Sequence, residues 1–129
     1  MPGASVIDVE GVSVLHLDFS GCTIAQAPGL LAECATLVRS QPLDSAYTLS
    51  DFSGSQFDSD VTRQLREYTK ANRPHVRFGA VVGITGIKRT IYRAILLFSG
   101  RTNLVLCDSV VEAKQVLVAA ARKHAAARG

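Results

Sequence analysis

Cysteine is scarce in this sequence: only Cys22, Cys34 and Cys107 occur. Their number is odd, and none lies close to a second cysteine or a histidine at the spacing of a structural zinc site. This pattern argues against a disulfide framework, and we expect neither a metal nor another cofactor. Unpaired cysteines are typical of a reducing compartment, so we expect a cytoplasmic protein.

Long apolar runs are also missing. No uninterrupted apolar stretch approaches the roughly 20 residues that a membrane-spanning helix needs. Asp8 and Glu10 stand where a signal peptide would have a basic segment followed by an apolar one. We therefore expect a soluble protein without a membrane span.

Catalytic motifs are lacking as well. Local spacing indicates no Ser–His–Asp or Cys–His arrangement. The histidines fall in a predicted strand (His16), a loop (His75) and the basic tail (His124). We expect no catalytic residues and a protein that is not an enzyme. A small enzyme of unknown reaction stays open as the alternative, because a fold can join a nucleophile and a base that are distant in sequence.

What the chain does have is enough apolar material for one domain. Its 129 residues are 47% hydrophobic, and no linker or low-complexity segment divides residues 1–129. Part of the formal net charge of +3 lies at about 122–129, where Arg122, Lys123 and Arg128 cluster. Cations at a helix C-terminus are favoured by the helix dipole. We interpret this cluster as a solvated helix end, which does not favour nucleic-acid binding.

The apolar periodicity predicts an α/β fold. Two short runs, 5–8 and 12–19, joined by Glu10-Gly11, predict an antiparallel hairpin. Helical and strand patterns then alternate: a helix from about Pro28 to Gln41, a strand at 46–50, a helix with Val61, Leu65 and Tyr68 inward, a buried strand at 78–82, a helix at 85–98, a strand at 103–107 and a last helix capped by Ser109. Three successive strand–helix–strand crossovers predict a mostly parallel sheet of about five strands with four helices.

Ligands of such sheets bind at the carboxyl ends of the strands. Three segments are predicted to meet there: 51–59, 83–89 and 108–109. Their polar side chains form the predicted strand-end cleft: Asp51, Ser53, Asp58, Asp108 and Ser109. The alternative small enzyme would use the same cleft.

The turn Gly83-Ile84-Thr85-Gly86 leads into Lys88 and Arg89. It is neither a Walker loop nor a dinucleotide fingerprint. A glycine-rich turn at a helix start nevertheless offers backbone N–H donors beside positive charge, which favours an anionic ligand. Ordinary helix capping with a solvated basic face is the alternative. The candidate anion-binding or ligand-binding residues are Gly83, Thr85, Gly86, Lys88, Arg89 and Arg101.

The helix at 85–98 has apolar residues on more than one side. Its predicted core stripe is Ile87, Ile91, Ala94, Ile95 and Phe98. Other apolar residues remain beside arginine, as at the centre of a protein–protein contact. We therefore expect a homodimer or a protein partner at this helix, and the interface candidates are Tyr92, Arg93, Leu96 and Leu97.

The order of elements resembles the STAS, or SpoIIAA-like, fold. The segment 80–89, AVVGITGIKR, together with Phe98-Ser99-Gly100-Arg101, Asp108-Ser109 and Glu112-Ala113-Lys114, is similar to a group of small bacterial proteins placed with STAS and CRAL-TRIO-like domains. The resemblance covers nearly the whole chain. It implies a regulatory or binding role, through a protein partner or a small anionic or lipidic ligand.

The resemblance also implies a phosphorylation candidate. STAS antagonists of anti-sigma factors carry Asp-Ser at the start of the second helix, followed by Ser or Ala and then Gly, and a partner kinase phosphorylates a serine there. Asp58-Ser59 matches the first two positions, whereas Asp60 and Val61 follow here. A phosphate on Ser59 would suit a helix N-terminus but would lie between two carboxylates. The alternative is that Ser59 is a plain N-cap.

Overall fold

A computed structural model of the chain describes residues 2–99 and 102–128. Within this part the chain forms five strands and four α-helices, with a short 3-10 turn between α2 and β4. In chain order they are β1 Gly3–Val9, β2 Val12–Asp18, α1 Ala27–Arg39, β3 Ala46–Asp51, α2 Ser59–Asn72, the turn Arg73–His75, β4 Val76–Val82, α3 Ile87–Ser99, β5 Leu104–Leu106 and α4 Val110–Arg128. The predicted α/β alternation is confirmed.

The strands form one sheet in the order β1-β2-β3-β4-β5. The pair β1 and β2 is antiparallel, and the remaining neighbours are parallel. Glu10 and Gly11 connect the antiparallel pair with positive φ angles of 51° and 85°. Both angles belong to a type I′ turn, whose twist matches that of the flanking strands. The mostly parallel sheet and the opening hairpin therefore agree with the prediction.

The sheet is covered on both faces, and each face has its own core. Helices α1, α2 and α3 pack on one face, where Cys34, Leu65 and Ile95 join the inward residues of β2 and β4. Helix α4 packs on the other face, mainly against β3 and β4, with Leu117 fully buried. Alternate residues of each strand point to opposite faces, so every central strand contributes to both cores.

The predicted core stripe of α3 is wrong in part. Ile95 is buried as expected, but the Ile87 side chain is 78% exposed and Ala94 is also exposed. Tyr92, predicted to face outward, is only 3% exposed, and its ring centroid lies 5.8 Å from that of Phe52. Residues with apolar side chains occur on nearly every side of this helix, so periodicity alone left its rotation open. The aromatic cluster around Phe52 determines that rotation.

Candidate functional site

The carboxyl ends of the parallel strands come together at one edge of the sheet. Two backbone hydrogen bonds extend the pairing just beyond the strands: Phe52 N–H donates to the Val82 carbonyl at 2.9 Å, and Cys107 N–H donates to the Val81 carbonyl at 2.7 Å. These bonds hold the connections after β3, β4 and β5 side by side. The edge that was predicted to bind ligands is therefore built from those three connections.

A cleft of about 120 Å³ lies between these connections. Six of the predicted site residues line it: Ser53, Gly83, Thr85, Arg89, Asp108 and Ser109. Val82, Ile84, Cys107 and Val110 complete the lining. The sequence thus predicted the polar part of the cleft, and of the four apolar lining residues only Ile84 lies in a segment that was predicted to meet there.

Gly83 allows two of these loops to touch. Its φ is +82°, and a Cβ on it would lie 2.3 Å from the backbone nitrogen of Ser53. No side chain fits at that distance, so glycine is required both by conformation and by space. The close approach forms the wall of the cleft between β3 and β4.

Arg89 and Asp108 are the charged residues among the described residues that line the cleft. The amino ends of α3 and α4 also point to this edge, because both helices begin just after the strand-end connections. A helix amino end carries partial positive charge, so the two helices and Arg89 act in the same direction. The Asp108 carboxylate opposes them, and the cleft therefore has one acidic side.

The first turn of α4 has its own hydrogen bonds. The Ser109 hydroxyl accepts from Glu112 N–H at 3.1 Å, and the Glu112 carboxylate accepts from Asp108 N–H at 3.2 Å. Ser109 therefore caps α4 as predicted, whereas the Glu112 carboxylate accepts from the N–H one residue before the cap and not from that of Ser109, as a full capping box would require. Ser109 thus both caps α4 and lines the cleft.

Lys88 does not reach the cleft, although it precedes Arg89. Its amino group donates to the carbonyl of Ser55 and lies 5.5 Å from the centroid of the Phe57 ring. Successive helical residues point about 100° apart, so only one of the two cations faces the cleft. Lys88 instead holds the connection between β3 and α2.

Two carboxylates that were predicted to line the cleft, Asp51 and Asp58, do not line it. Asp51 accepts a hydrogen bond from Ser53 N–H at 2.9 Å within its own loop. Asp58 accepts from Val61 N–H at 2.7 Å and is the N-cap of α2. Ser59 is consequently the first residue of the helix, and the interpretation of Ser59 as the N-cap is wrong. Asp58 is the N-cap because its carboxylate accepts a hydrogen bond from a first-turn N–H group and carries a full negative charge, which the helix amino end favours.

The other candidates fall in varied surroundings. Gly86 is exposed, with a φ of +59°, and its carbonyl accepts from Arg89 N–H at 3.1 Å. Arg101 lies outside the described residues. Among the interface candidates Leu96 packs against the core beside Tyr92, whereas Arg93 and Leu97 are exposed. Tyr92 and Leu96 are therefore core residues.

The thiols are poor nucleophiles. Burial raises the pKa of Cys107, which lies in the cleft wall, and the nearby Glu112 and Asp108 carboxylates raise it further. Burial also raises the pKa of Cys22, and it raises the pKa of Cys34 to about 12. A thiol whose pKa lies above its ordinary value stays protonated at neutral pH.

The histidines are apart from the cleft in three separate settings. His16 is partly buried on β2, and its strand position agrees with the prediction. The Nδ1 atom of His75 lies 2.8 Å from the Gln41 carbonyl oxygen, and that of His124 lies 2.7 Å from the Tyr47 hydroxyl. In the part of the chain that the structure describes, no three His, Cys, Asp or Glu side chains are grouped as metal ligands.

Comparisons with known proteins give no match for this chain. No family model matches it, and neither the curated proteins nor the solved structures contain a match. Across residues 2–99 and 102–128, none of the helices combines the length and the apolar character needed to cross a membrane.

Proposed function

We propose that the chain is a STAS-like, non-enzymatic binding module that holds a small anionic ligand in the strand-end cleft. The observation that carries this proposal is the position of Arg89 in the cleft wall, at the edge where α3 and α4 begin. A guanidinium group binds a phosphate or carboxylate through two parallel hydrogen bonds. Helix amino ends add backbone donors.

The size of the cleft limits the ligand. A volume of about 120 Å³ is smaller than the pockets that hold drug-sized molecules, and it suits a small anion such as inorganic phosphate. One charge-assisted hydrogen bond contributes about 1.5–3 kcal/mol, and Asp108 reduces the attraction. We expect binding of inorganic phosphate in about the millimolar range, because association costs consume part of this energy.

Phosphate-dependent thermal unfolding tests the proposal. At about ten times its Kd, phosphate should raise Tm by about 5 °C. Arg89→Gln should remove most of this rise, because the only cation among the described lining residues is lost. Lys88→Gln should keep the rise although it lowers the starting Tm, since Lys88 contacts Ser55 and Phe57 instead.

Arg93→Gln is the matched control, because it removes one exposed positive charge from the same helix. If all three variants respond to phosphate as the native protein does, the cleft does not bind anions. If all three lose the response equally, the effect is one of overall charge and the proposal is wrong.

The regulatory part of the proposal concerns Ser59. This residue is exposed, and Asp58 supplies the helix cap in its place. Arg63 lies one turn farther along α2 and forms an ion pair with Asp60, lowering the pKa of that carboxyl group. A phosphate on Ser59 would meet both the helix amino end and this arginine.

Mass spectrometry of the protein isolated from its source cells checks this site. We expect phosphate on Ser59 and no phosphate in the Ser59→Ala variant. Ser53→Ala is the control, because it removes another exposed serine of the same connection and should keep the phosphate on Ser59. Phosphate on another residue, or on none, would contradict the regulatory role.

We also propose a cytoplasmic location. All three cysteines are free thiols and none is exposed, which fits a reducing compartment. Fractionation of source cells should place the protein with soluble or peripheral material and not with the periplasm.

A further inference from the structure

The positive charge of this chain is concentrated in one segment. Between Val61 and Cys107 the sequence has nine Lys and Arg residues but a single acidic residue, Glu67. The rest of the chain has five basic and ten acidic residues. A formal net charge of +3 therefore conceals a strongly basic part and an acidic part. This segment contains α2 from its third residue onward and all of α3, and the two helices pack side by side on one face of the sheet.

Helix α2 has a row of cations on its exposed side. Arg63, Arg66 and Lys70 are exposed and follow one another at spacings of three and four residues, which places them on one helix face. Arg73, exposed in the turn after α2, continues the row. Asp60 is paired with Arg63, and the exposed Glu67 lies on the same side of the helix between Arg66 and Lys70, so these two acidic residues reduce the positive charge of the row.

Helix α3 adds exposed aliphatic groups beside this row. The side chains of Ile87 and Leu97 are 78% and 81% exposed, and they lie about 15 Å apart along the helix axis. Ala94 and Arg93 between them are exposed too, and α3 contains no acidic residue. We name eight of the exposed residues of these two helices and the turn the α2–α3 face: Arg63, Arg66, Lys70, Arg73, Ile87, Arg93, Ala94 and Leu97.

We propose that the α2–α3 face docks on the surface of an anionic lipid bilayer. Cations near such a surface are attracted to the negative head groups, and exposed aliphatic side chains enter the boundary of the acyl region. Arginine and lysine stems lie along the interface while their charged ends stay among the head groups. This proposal goes beyond the anion cleft and does not depend on it.

Other occupants fit the same face less well. Nucleic acid would satisfy the cations but would leave Ile87 and Leu97 without an apolar partner. A second copy of the chain, as expected at this helix from the sequence, would bring two basic faces together about a two-fold axis. Like charges at close range oppose that contact. An anionic bilayer satisfies both the charge and the aliphatic groups.

Sedimentation with lipid vesicles tests the proposal. The full chain should bind vesicles of phosphatidylcholine mixed with phosphatidylserine at about 0.1 M salt, and it should be released at about 1 M salt. It should not bind pure phosphatidylcholine. Lys70→Gln with Arg93→Gln should weaken binding about 25-fold, since each cation near the surface accounts for about a fivefold change. Leu97→Ser should weaken it about tenfold through lost apolar burial.

Matched controls lie on α4, which covers the opposite face of the sheet. Arg122→Gln with Lys123→Gln removes the same charge from exposed positions, and Val111→Ser removes an aliphatic group that is 67% exposed. Both control variants should stay within about twofold of the native protein.

Several results would overturn the inference. One is that the native protein fails to sediment with the anionic vesicles. Equal losses in the two charge variants would mean that net charge alone drives the binding. Full binding by Leu97→Ser together with equally tight binding to duplex DNA would indicate a general polyanion site. A dimer in light scattering that Leu97→Ser dissociates would identify a second copy as the occupant.

Discussion

At the scale of single residues, Gly83 offers the sharpest test of the cleft wall. Gly83→Ala would place a Cβ 2.3 Å from the Ser53 nitrogen and keep a backbone with a φ of +82°. We expect the free energy of unfolding to fall by about 3 kcal/mol, from left-handed strain of about 1–2 kcal/mol and from displacement of the Ser53 loop. Chemical denaturation measures this change.

Gly86→Ala is the matched control. Its φ is +59°, but no atom lies within 4 Å of the added Cβ, so only the backbone strain applies. This variant should lose about 1 kcal/mol. Equal losses of unfolding free energy in the two glycine variants would show that the Ser53 loop moves aside at no cost in free energy. The wall of the cleft would then not be rigid.

The pair Lys88 and Arg89 shows how much a single position matters. The two residues are neighbours in sequence and have similar charge, yet one anchors the Ser55 carbonyl and the other lines the cleft. Sequence reasoning treated them as one basic pair. Only the rotation of α3 separates their roles.

At the scale of elements, that rotation makes a prediction about adjacent leucines. Leu96 packs against the core, whereas the Leu97 side chain is 81% exposed. Leu96→Glu should therefore lower the free energy of unfolding by about 2–4 kcal/mol, because it removes apolar contacts and buries part of a charge. Leu97→Glu should change it by no more than about 0.5 kcal/mol. Urea unfolding of both variants measures the difference.

A result with the two leucines reversed would contradict the described rotation of α3. It would also move Leu97 off the α2–α3 face, so vesicle binding by Leu97→Glu is a useful second readout. Similar destabilisation in both variants would mean that α3 is buried on two sides.

The predicted core stripe of α3 is wrong in part for a physical reason. Periodicity locates a helix face when polar residues mark the opposite side. Here Ile87 and Ala94 lie on one side, Tyr92, Ile95 and Leu96 lie on another, and Ile91 between them packs against the core as predicted. The side with Tyr92 is buried because Tyr92 joins the aromatic cluster. In this cluster the Phe19 and Phe52 rings stack with centroids 4.8 Å apart. Those rings come from distant connections, so no local pattern contains them.

At the scale of the whole molecule, the two proposed functions rest on two different structural arrangements. The strand-end cleft arises because parallel strands end at the same edge of the sheet. The α2–α3 face arises because two helices with few acids pack next to each other. Their separate origins make the phosphate and vesicle experiments independent, and failure of one leaves the other proposal intact.

The sequence by itself determined the fold class, the hairpin, the strand and helix order and the edge at which polar loops collect. These properties depend on local periodicity and on the chirality of crossover connections, both of which are readable along the chain. Tertiary structure alone decided which side of α3 is buried, which cation faces the cleft, that Asp58 and not Ser59 caps α2, and that α2 and α3 pack next to each other on one face of the sheet. Those outcomes depend on contacts between distant segments, whose packing energy outweighs local preference.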